Sequence, residues 1–392
     1  MKKAVIILPS LQHGGLQRSL FEALSVVDRS KYDITVYVYS GYNPLAESLP
    51  KDVKVIIDTD RSHYMRKPKS IFLHLGLLLA KLCCNPAKIE KSYAKIKEYI
   101  HEEKSKYPAK RYFSDGVDVV ISYAMGLCTQ MALKIQADKR YLFFHSSDPD
   151  FHRDLSDKYF NDFDNIVAVG ENVQTMLKEN FPMVKEKIVL IKNYISAENI
   201  INLSNEYVVD TCDSKNATII TSVIRVDKEK GADLIVAAAE KLAEQNLSFK
   251  WYIVGDGATR VEIEEQITEK QLDNKVIITG YKKNPYPYIK ACDVFVHPTY
   301  EESFGLAILE ALILGKTIIS TDTMGAREVL NSGKYGALVP INANAIAEEV
   351  SKIIYACDYK GCLQRADEYN NKDEKHTYKQ KWEMMLNGET LS

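Results

Sequence analysis

Two glutamates, Glu302 and Glu310, stand eight positions apart at a predicted strand–turn–helix junction. Residues 294–298 predict a buried strand, and residues 306–314 predict a helix that begins near Gly305. Such a junction directs free backbone N–H groups and the positive end of the helix toward an anion. Eight helical residues rise about 12 Å, so the two carboxylates can contact two parts of one extended ligand, such as a nucleotide sugar. The alternative interpretation is a surface helix that carries two solvated acids.

Two cations follow a different predicted strand. Arg225 and Lys230 flank the turn that leads from residues 217–224 into a helix. A forked guanidinium and a compact ammonium are a common pair at phosphate sites. The turn therefore indicates a site for a phosphate dianion, on which both cations converge, with a solvated basic turn as the alternative.

In the first half of the chain, two strand ends carry candidate ligand contacts. Gly14 and Gly15 open a helix after the first strand, and paired glycines let the backbone approach a phosphate. Neither a P-loop nor a dinucleotide fingerprint is present, so an ordinary turn stays open as the alternative. His145 ends a predicted strand, where it either contacts a substrate or has a structural role.

Three more turns in the second half follow predicted strands. Gly255 lies in a turn that is more typical of structure than of ligand contact. Tyr281 lies in a turn with an exposed aromatic side chain that could cover a planar base. Residues 321–328 predict a last glycine turn at the same edge of the sheet.

Short runs rich in Val and Ile alternate with helical patterns twice along the chain. Continuous apolar strands between helices are typical of parallel sheets that are covered on both faces. The length of 392 residues exceeds what one hydrophobic core usually supports. We therefore predict an α/β fold of two Rossmann-like doubly wound domains that face each other across a cleft. The predicted strands are residues 4–8, 34–39, 53–57, 117–122, 141–145, 166–169 and 187–191, then 217–224, 251–254, 276–279, 294–298, 317–320 and 337–340.

The domain boundaries follow from composition. Residues 1–192 form the predicted N-terminal domain, in which an acceptor would bind, and residues 193–371 form the C-terminal domain, in which a donor would bind. Residues 193–216 are polar and without a clear period, which is typical of a linker. The tail, residues 372–392, is lysine-rich and helix-compatible, and we expect Trp382, Met384 and Met385 to anchor it.

The composition indicates a globular cytoplasmic protein. Apolar residues make up 46% and charged residues 27% of the chain. The seven cysteines are odd in number and lack metal-site spacing, so we expect free thiols in a reducing compartment. The first apolar run is too short for a signal peptide, and no run approaches the roughly 18 apolar residues that span a bilayer.

A basic block covers residues 61–112, with thirteen Lys and Arg against four Asp and Glu. It encloses the leucine-rich residues 71–82. Two interpretations stay open: peripheral contact of residues 66–111 with anionic lipid on the inner face of the cell membrane, or a core helix whose solvated face is basic. No nucleic-acid-binding motif accompanies the charge, so nucleic acid is not an expected partner.

The second half of the chain strongly resembles the retaining glycosyltransferases of family 4, which have the GT-B fold of two Rossmann-like domains. Together with a looser similarity in the first half, the resemblance covers nearly the whole chain. Two positions depart from the family pattern. Ala326 stands where a second glycine is frequent, and residues 297–299 replace a segment before the glutamate block that is usually serine-rich. The motifs are Arg225 with Lys230-Gly231, Gly255-Asp256-Gly257, Asn284-Pro285-Tyr286, residues 292–296, Glu302–Glu310 and Gly315, and in the first half Gly14-Gly15, His145 and Asn193.

The resemblance implies roles for the second-half residues. Arg225 and Lys230 would hold the donor diphosphate and stabilise the leaving group as charge develops. Glu310 would bind the ribose hydroxyls, and Glu302 would hold the transferred sugar together with four backbone amides. These amides belong to Ser303, Phe304, Gly305 and Leu306.

The resemblance also implies roles elsewhere. Gly14 and Gly15 would lie against the phosphate, and His145 would stand near the sugar and the acceptor as a catalytic residue. Gly255 and Tyr281 complete the donor-binding set. The helix within residues 372–392 would return to the N-terminal domain.

The resemblance implies a hexosyltransferase-type enzyme. The acceptor would attack the donor sugar on the face from which the phosphate departs. No Asp-x-Asp motif is placed to hold a metal, so no essential metal or cofactor is expected. The expected reaction moves a sugar from a nucleotide-diphosphate sugar to a saccharide or lipid-linked acceptor in bacterial-type surface polysaccharide or glycolipid synthesis. A UDP-sugar is favoured because UDP is the commoner donor base in the family. Two alternatives stay open: a nucleotide-sugar 2-epimerase-like enzyme, and an inactive protein that binds a sugar nucleotide.

Overall fold

The computed structural model describes residues 1–12, 14–58, 105–148, 150, 156, 158–209, 217–356 and 372–391. The chain divides into two compact units. Unit 1 contains Met1–Val169, Gln174–Ile191 and Tyr378–Ser392. Unit 2 contains Gly170–Val173 and Lys192–Thr377.

Unit 1 is built on a parallel sheet of seven strands within the described residues, in the order β3-β2-β1-β4-β5-β6-β7. One interior strand, Lys2–Leu8, is apolar and buried from Ala4 to Leu8, as a strand covered on both faces requires. The strands are β1 (Lys2–Leu8), β2 (Tyr32–Val38), β3 (Lys54–Ile57), β4 (Val117–Ser122), β5 (Ala137–Phe144), β6 (Asn165–Ala168) and β7 (Ile188–Leu190).

Unit 2 is built on a second parallel sheet, with six described strands in the order β10-β9-β8-β11-β12-β13. The strand order reverses between β8 and β11, and in open α/β sheets ligands bind at such a switch point. The strands are β8 (Thr218–Val223), β9 (Phe249–Val254), β10 (Val276–Gly280), β11 (Val294–His297), β12 (Thr317–Thr321) and β13 (Ala337–Val339).

Helices alternate with the strands in both units. In chain order they are α1 (Gly15–Val26), α2 (Leu127–Lys134), α3 (Glu171–Asn180), α4 (Ala197–Leu203), α5 (Ala232–Glu244), α6 (Arg260–Glu269), α7 (Tyr286–Ala291), α8 (Leu306–Ile313), α9 (Met324–Val329), α10 (Ala343–Ala356) and α11 (Lys372–Leu386).

The predicted fold class is confirmed, since both units are Rossmann-like α/β domains with parallel sheets. All thirteen predicted strands are present, and the largest difference in bounds is at β5, which begins at Ala137 instead of residue 141. The predicted helix after Gly305 is also present as α8.

Two segments differ from their predictions. Residues 193–216 were expected to be a linker, but α4 forms inside them, because the Ser196 hydroxyl caps its first turn and Ile200 is buried. Residues 321–328 were expected to be a turn, but α9 begins at Met324, with the Thr323 hydroxyl accepting from the backbone N–H of Ala326.

The C-terminal helix α11 packs within unit 1 through one face. The Trp382 ring is buried and stacks on Phe143, with ring centroids 5.2 Å apart, and Met385 is fully buried. Lys381 donates to the carbonyl of Leu190. Met384, the third expected anchor, is only half-buried.

Several predictions from composition fall largely outside the described residues. Residues 59–104, which include the leucine-rich segment 71–82, are among these, as are Cys83, Cys84, Cys212, Cys357 and Cys362. Cys128 and Cys292 are described, and both are free and buried. Within the described ranges, no helix is both long and apolar enough to cross a membrane.

Candidate functional site

The loop after β11 places the Glu302 carboxylate between two side chains of unit 2. Its Oε2 atom lies 3.2 Å from Lys230 Nζ and 3.1 Å from His297 Nε2. Lys230 belongs to the turn after β8, and His297 is the last residue of β11. Because β8 and β11 are neighbours in the sheet, the loops at their carboxyl ends meet, and the ion pair forms there.

The same contacts keep Glu302 ionised. Burial by itself would raise the pKa of Glu302, but the hydrogen bond from His297 and the positive charge of Lys230 outweigh burial and lower the pKa to about 2. The site therefore holds a fixed negative charge beside a fixed positive one at neutral pH.

Backbone contacts lock the two loops of this site together. The Glu229 carbonyl accepts hydrogen bonds from the Thr299 hydroxyl at 3.0 Å and from the Tyr300 N–H at 3.1 Å. Gly231, with φ +73°, lies so close to the second loop that a Cβ atom would stand 2.0 Å from the Pro298 carbonyl oxygen. Only glycine satisfies both the left-handed backbone and the close approach.

A third segment supports the Glu302 loop from the side of α9. The N–H of Gly325 donates to the carbonyl of Glu302 at 2.9 Å. A Cβ atom at position 325 would lie 2.6 Å from the backbone nitrogen of Phe304. The loop that carries Glu302 and Ser303 therefore rests directly on backbone and has little room to shift.

Helix α8 begins directly after this loop and carries the second glutamate. Gly305, with φ +91°, is the residue before the first turn of α8. The first backbone N–H groups of the helix, from Leu306 onward, therefore lie next to the Glu302 loop in the chain. Glu310 is buried inside α8, and the Tyr286 hydroxyl lies 3.5 Å from its Oε1 atom. The two acids thus have different surroundings. Glu302 lies in a loop and pairs with Lys230, whereas Glu310 lies within α8 beside Tyr286.

Arg225 does not share partners with Lys230. Its side chain is 54% exposed, and its guanidinium pairs with Asp227 at 2.7 Å and with Glu229 at 2.9 Å. The structure therefore holds the two cations on different carboxylates, and their convergence on one dianion stays a prediction.

Two other donor-site candidates lie in unit 2 at the ends of β9 and β10. A Cβ atom at Gly255 would stand 1.8 Å from the carbonyl oxygen of Ile224, so this glycine serves close backbone packing. Its N–H donates to the carbonyl of Gly280, which brings the two turns together. Tyr281 follows with 44% of its surface exposed.

The unit 1 candidates lie at the carboxyl ends of β1 and β5. Gly14 and Gly15 are exposed where α1 begins. His145 packs on Tyr123 and Phe143, with ring centroids 5.0 and 5.9 Å away. Burial lowers the pKa of His145 to about 4, although a hydrogen bond with the Tyr123 backbone opposes the shift. The ring is therefore neutral at pH 7, and it can act there as an uncharged donor or acceptor.

His297 and Gly325 contribute to the site in ways that sequence reasoning missed. His297 was noted only as a departure from a family pattern, and Gly325 only as part of a turn. The usable signal for His297 was its position at the carboxyl end of a buried strand, five residues before Glu302. Among the residues that the structure describes, no group of three or more His, Cys, Asp or Glu side chains is placed to hold a metal.

Part of unit 2 matches a known protein family. Residues 205–360 match the family model described as "Glycosyl transferases group 1". This region contains the Lys230 turn, the Glu302 loop and helix α8.

Curated relatives match part of the chain. An N-acetylgalactosamine-N,N'-diacetylbacillosaminyl-diphospho-undecaprenol 4-alpha-N-acetylgalactosaminyltransferase of Campylobacter jejuni is 29% identical over 180 residues, which is 45% of this chain and 47% of the relative. A 2-deoxystreptamine N-acetyl-D-glucosaminyltransferase of Niallia circulans is 33% identical over 133 residues, which is 33% of this chain and 34% of the relative. The matches thus span half or less of these relatives' length.

Solved structures match nearly the full length. Anabaena HepE in complex with UDP and glucose aligns with a TM-score of 0.68 and 18% identity, covering 99% of this chain and 100% of that one. A variant of Staphylococcus aureus TarM in complex with Fondaparinux, alpha-GlcNAc-glycerol and UDP aligns with a TM-score of 0.67 and 14% identity over 99% and 100% of the two chains. At these identities the likeness shows the fold, which is GT-B.

The packing of Gly231 generates a first prediction. Gly231→Ala should lower the free energy of unfolding by about 3 kcal/mol or more, since the added methyl group meets a backbone carbonyl as well as a left-handed φ. Gly333→Ala is the matched control, because Gly333 also has positive φ but its nearest atom to a new Cβ is 3.8 Å away. We expect about 1–2 kcal/mol for the control, with both values measured by urea unfolding. Equal losses would contradict the close contact.

The lowered pKa of Glu302 generates a second prediction. Its folded pKa of about 2 lies below the ordinary value of 4.5, so its stabilising contribution is complete above pH 4.5 and is lost as the pH falls toward 2. The difference in unfolding free energy between the wild type and Glu302→Gln should therefore narrow between about pH 5 and pH 3. The exposed control Glu262→Gln should show a much smaller change. A pH-independent difference for Glu302→Gln would contradict the assignment.

Proposed function

We propose that this protein is a retaining glycosyltransferase of family 4 that moves a sugar from a nucleotide-diphosphate sugar, with a UDP-sugar favoured. The observation that carries the proposal is the Glu302 carboxylate, held on Lys230 at the switch point of a GT-B domain and followed by α8 with Glu310 inside it. The group 1 match over residues 205–360 supports the same activity.

The geometry suggests how the donor would be held. Lys230 keeps two of its three N–H donors for a phosphate oxygen after it binds Glu302. The exposed Arg225 would swing from Asp227 and Glu229 onto the same diphosphate, because an anionic ligand competes well for a solvated guanidinium. Glu302 would accept from a hydroxyl of the transferred sugar, and Glu310 would accept from the ribose.

In the reaction, the acceptor hydroxyl oxygen forms a bond to the anomeric carbon while the bond from that carbon to the diphosphate breaks. The departing phosphate oxygen takes the acceptor proton on the same face of the sugar. Lys230, Arg225 and the N–H groups at the start of α8 would stabilise the charge that develops on the diphosphate. His145, neutral at pH 7, would contact the sugar or the acceptor by hydrogen bonding. We propose that no essential metal or cofactor takes part.

The proposed acceptor is a saccharide or a lipid-linked saccharide in surface polysaccharide or glycolipid synthesis. The name of the Campylobacter jejuni relative includes a diphospho-undecaprenol acceptor, which supports the lipid-linked class. A cytoplasmic location with peripheral contact on the inner face of the membrane rests on the basic charge of residues 66–111.

A donor screen tests the proposed reaction. Nucleotide release is measured from UDP-, GDP- and ADP-sugars, with and without saccharide acceptors and undecaprenyl-diphosphate-linked acceptors. We expect release from a UDP-sugar that increases with a suitable acceptor and yields a glycosidic bond. A free 2-epimer as the product would favour the epimerase alternative, and no release from any donor would favour an inactive binding protein. Either result would contradict the proposal.

Replacement of Lys230 tests its place in the chemistry. Lys230→Ala should lower kcat for nucleotide release by about 100-fold or more, because the variant lacks the ammonium group that would stabilise the charge on the departing diphosphate. Lys228→Ala is the control, because Lys228 is exposed in the same turn only two residues away. A loss shared equally by both variants would indicate general electrostatics instead of a specific contact.

A further inference from the structure

Glu302 contacts two side chains, Lys230 and His297, and the proposed function gives a role only to Lys230. The histidine is buried, and its backbone is held in the sheet by pairing with Ser320. The Ser320 and Thr321 hydroxyls also lie 3.2 and 3.3 Å from its carbonyl oxygen. The ring therefore projects from a strand end that both sheet pairing and side-chain hydroxyls hold in place.

The two ring nitrogens of His297 have unequal surroundings. Nε2 lies 3.1 Å from Glu302 Oε2, whereas Nδ1 is inaccessible and has no hydrogen-bond partner among the residues that the structure describes. An ionised carboxylate only accepts hydrogen bonds, so Nε2 must carry the proton. The hydrogen bond to Glu302 therefore fixes a proton on Nε2.

Among the residues that the structure describes, the His297 ring hydrogen-bonds only to Glu302. Lys230 and His297 both bind Oε2, and no hydrogen bond within the described part of the chain uses Oε1. Because Nδ1 is inaccessible, a ligand cannot touch that nitrogen. Any effect of His297 on a ligand must pass through the orientation of the Glu302 carboxylate.

We propose that His297 is a positioning residue for the transferred sugar: its Nε2–H fixes Oε2 of Glu302 beside Lys230 and leaves Oε1 free to accept from a sugar hydroxyl. This inference rests on the proposed function and deepens it. A lysine alone binds a carboxylate as a point charge and sets no rotation of the carboxylate plane. The second donor, fixed on a strand, supplies that rotation.

The two amide side chains that resemble histidine separate this role from simple packing. Glutamine can place its N–H₂ group near the position of Nε2, whereas the shorter asparagine reaches only near the position of Nδ1. His297→Gln should therefore retain the hydrogen bond to Glu302, and His297→Asn should lose it. The exposed histidine His376, replaced by Asn, is the matched control.

Steady-state nucleotide release and UDP binding provide the first readout. We expect His297→Asn to raise the KM for the donor sugar nucleotide about tenfold, as loss of a hydrogen bond to a charged group does. The affinity for UDP, which lacks the sugar, should stay within about twofold, and His297→Gln should recover most of the donor KM. Equal behaviour of the Gln and Asn variants, or a parallel loss of UDP affinity, would overturn the proposal.

A second readout does not depend on turnover. In protein labelled with ¹⁵N-histidine, the ring signals of His297 are assigned by their absence in His297→Gln. We expect Nε2 to carry a proton. A proton on Nδ1 alone would overturn the positioning role. If the wild type releases nucleotide from no donor, the proposed function fails, and the ring signals still decide whether His297 holds Glu302 as described.

Discussion

A largely buried carboxylate is stable in its charged form only where positive charges and hydrogen-bond donors lie against it. The loop around Glu302, whose side chain is 18% exposed, is built around that constraint. Lys230 supplies the charge and His297 a directed N–H group, both at the same oxygen. The two side chains come from neighbouring strand ends, so the parallel order of β8 and β11 is a precondition for the cluster. If either Lys230 or His297 were removed, the remaining one alone would have to offset the cost of burying the Glu302 charge.

The glycines of the site serve the same constraint. Gly231 lets the Lys230 turn approach Pro298, and Gly325 lets α9 press on the backbone of Phe304. At both positions a Cβ atom would collide with backbone atoms of the neighbouring loop. The loop that holds Glu302 is thus fixed from two sides by backbone, and this rigidity suits a site that must hold one carboxylate orientation. Arg225, exposed and paired with two nearby acids, is by contrast able to change partners.

Much of the fold could be predicted from the sequence because its signals are local. Short apolar runs bounded by turns mark all thirteen strands, and the apolar run after Gly305 marks the start of α8. The bond between Lys230 and Glu302 joins residues 72 positions apart, and no local pattern predicts it. The same holds for Gly325, whose role depends on a segment that tertiary packing brings near. Helix α4 was missed for a different reason: it is short, and its buried Ile200 is too little apolar pattern to stand out in a polar segment.

The central claim is that the site transfers a sugar with retention at the anomeric carbon. The most direct measurement is proton NMR of the first sugar product formed from an α-linked UDP-sugar, recorded before free sugar can equilibrate between anomers, with water or a saccharide as acceptor. The account predicts that the α configuration appears first. A β product, or a 2-epimer without a glycosidic bond, would contradict it.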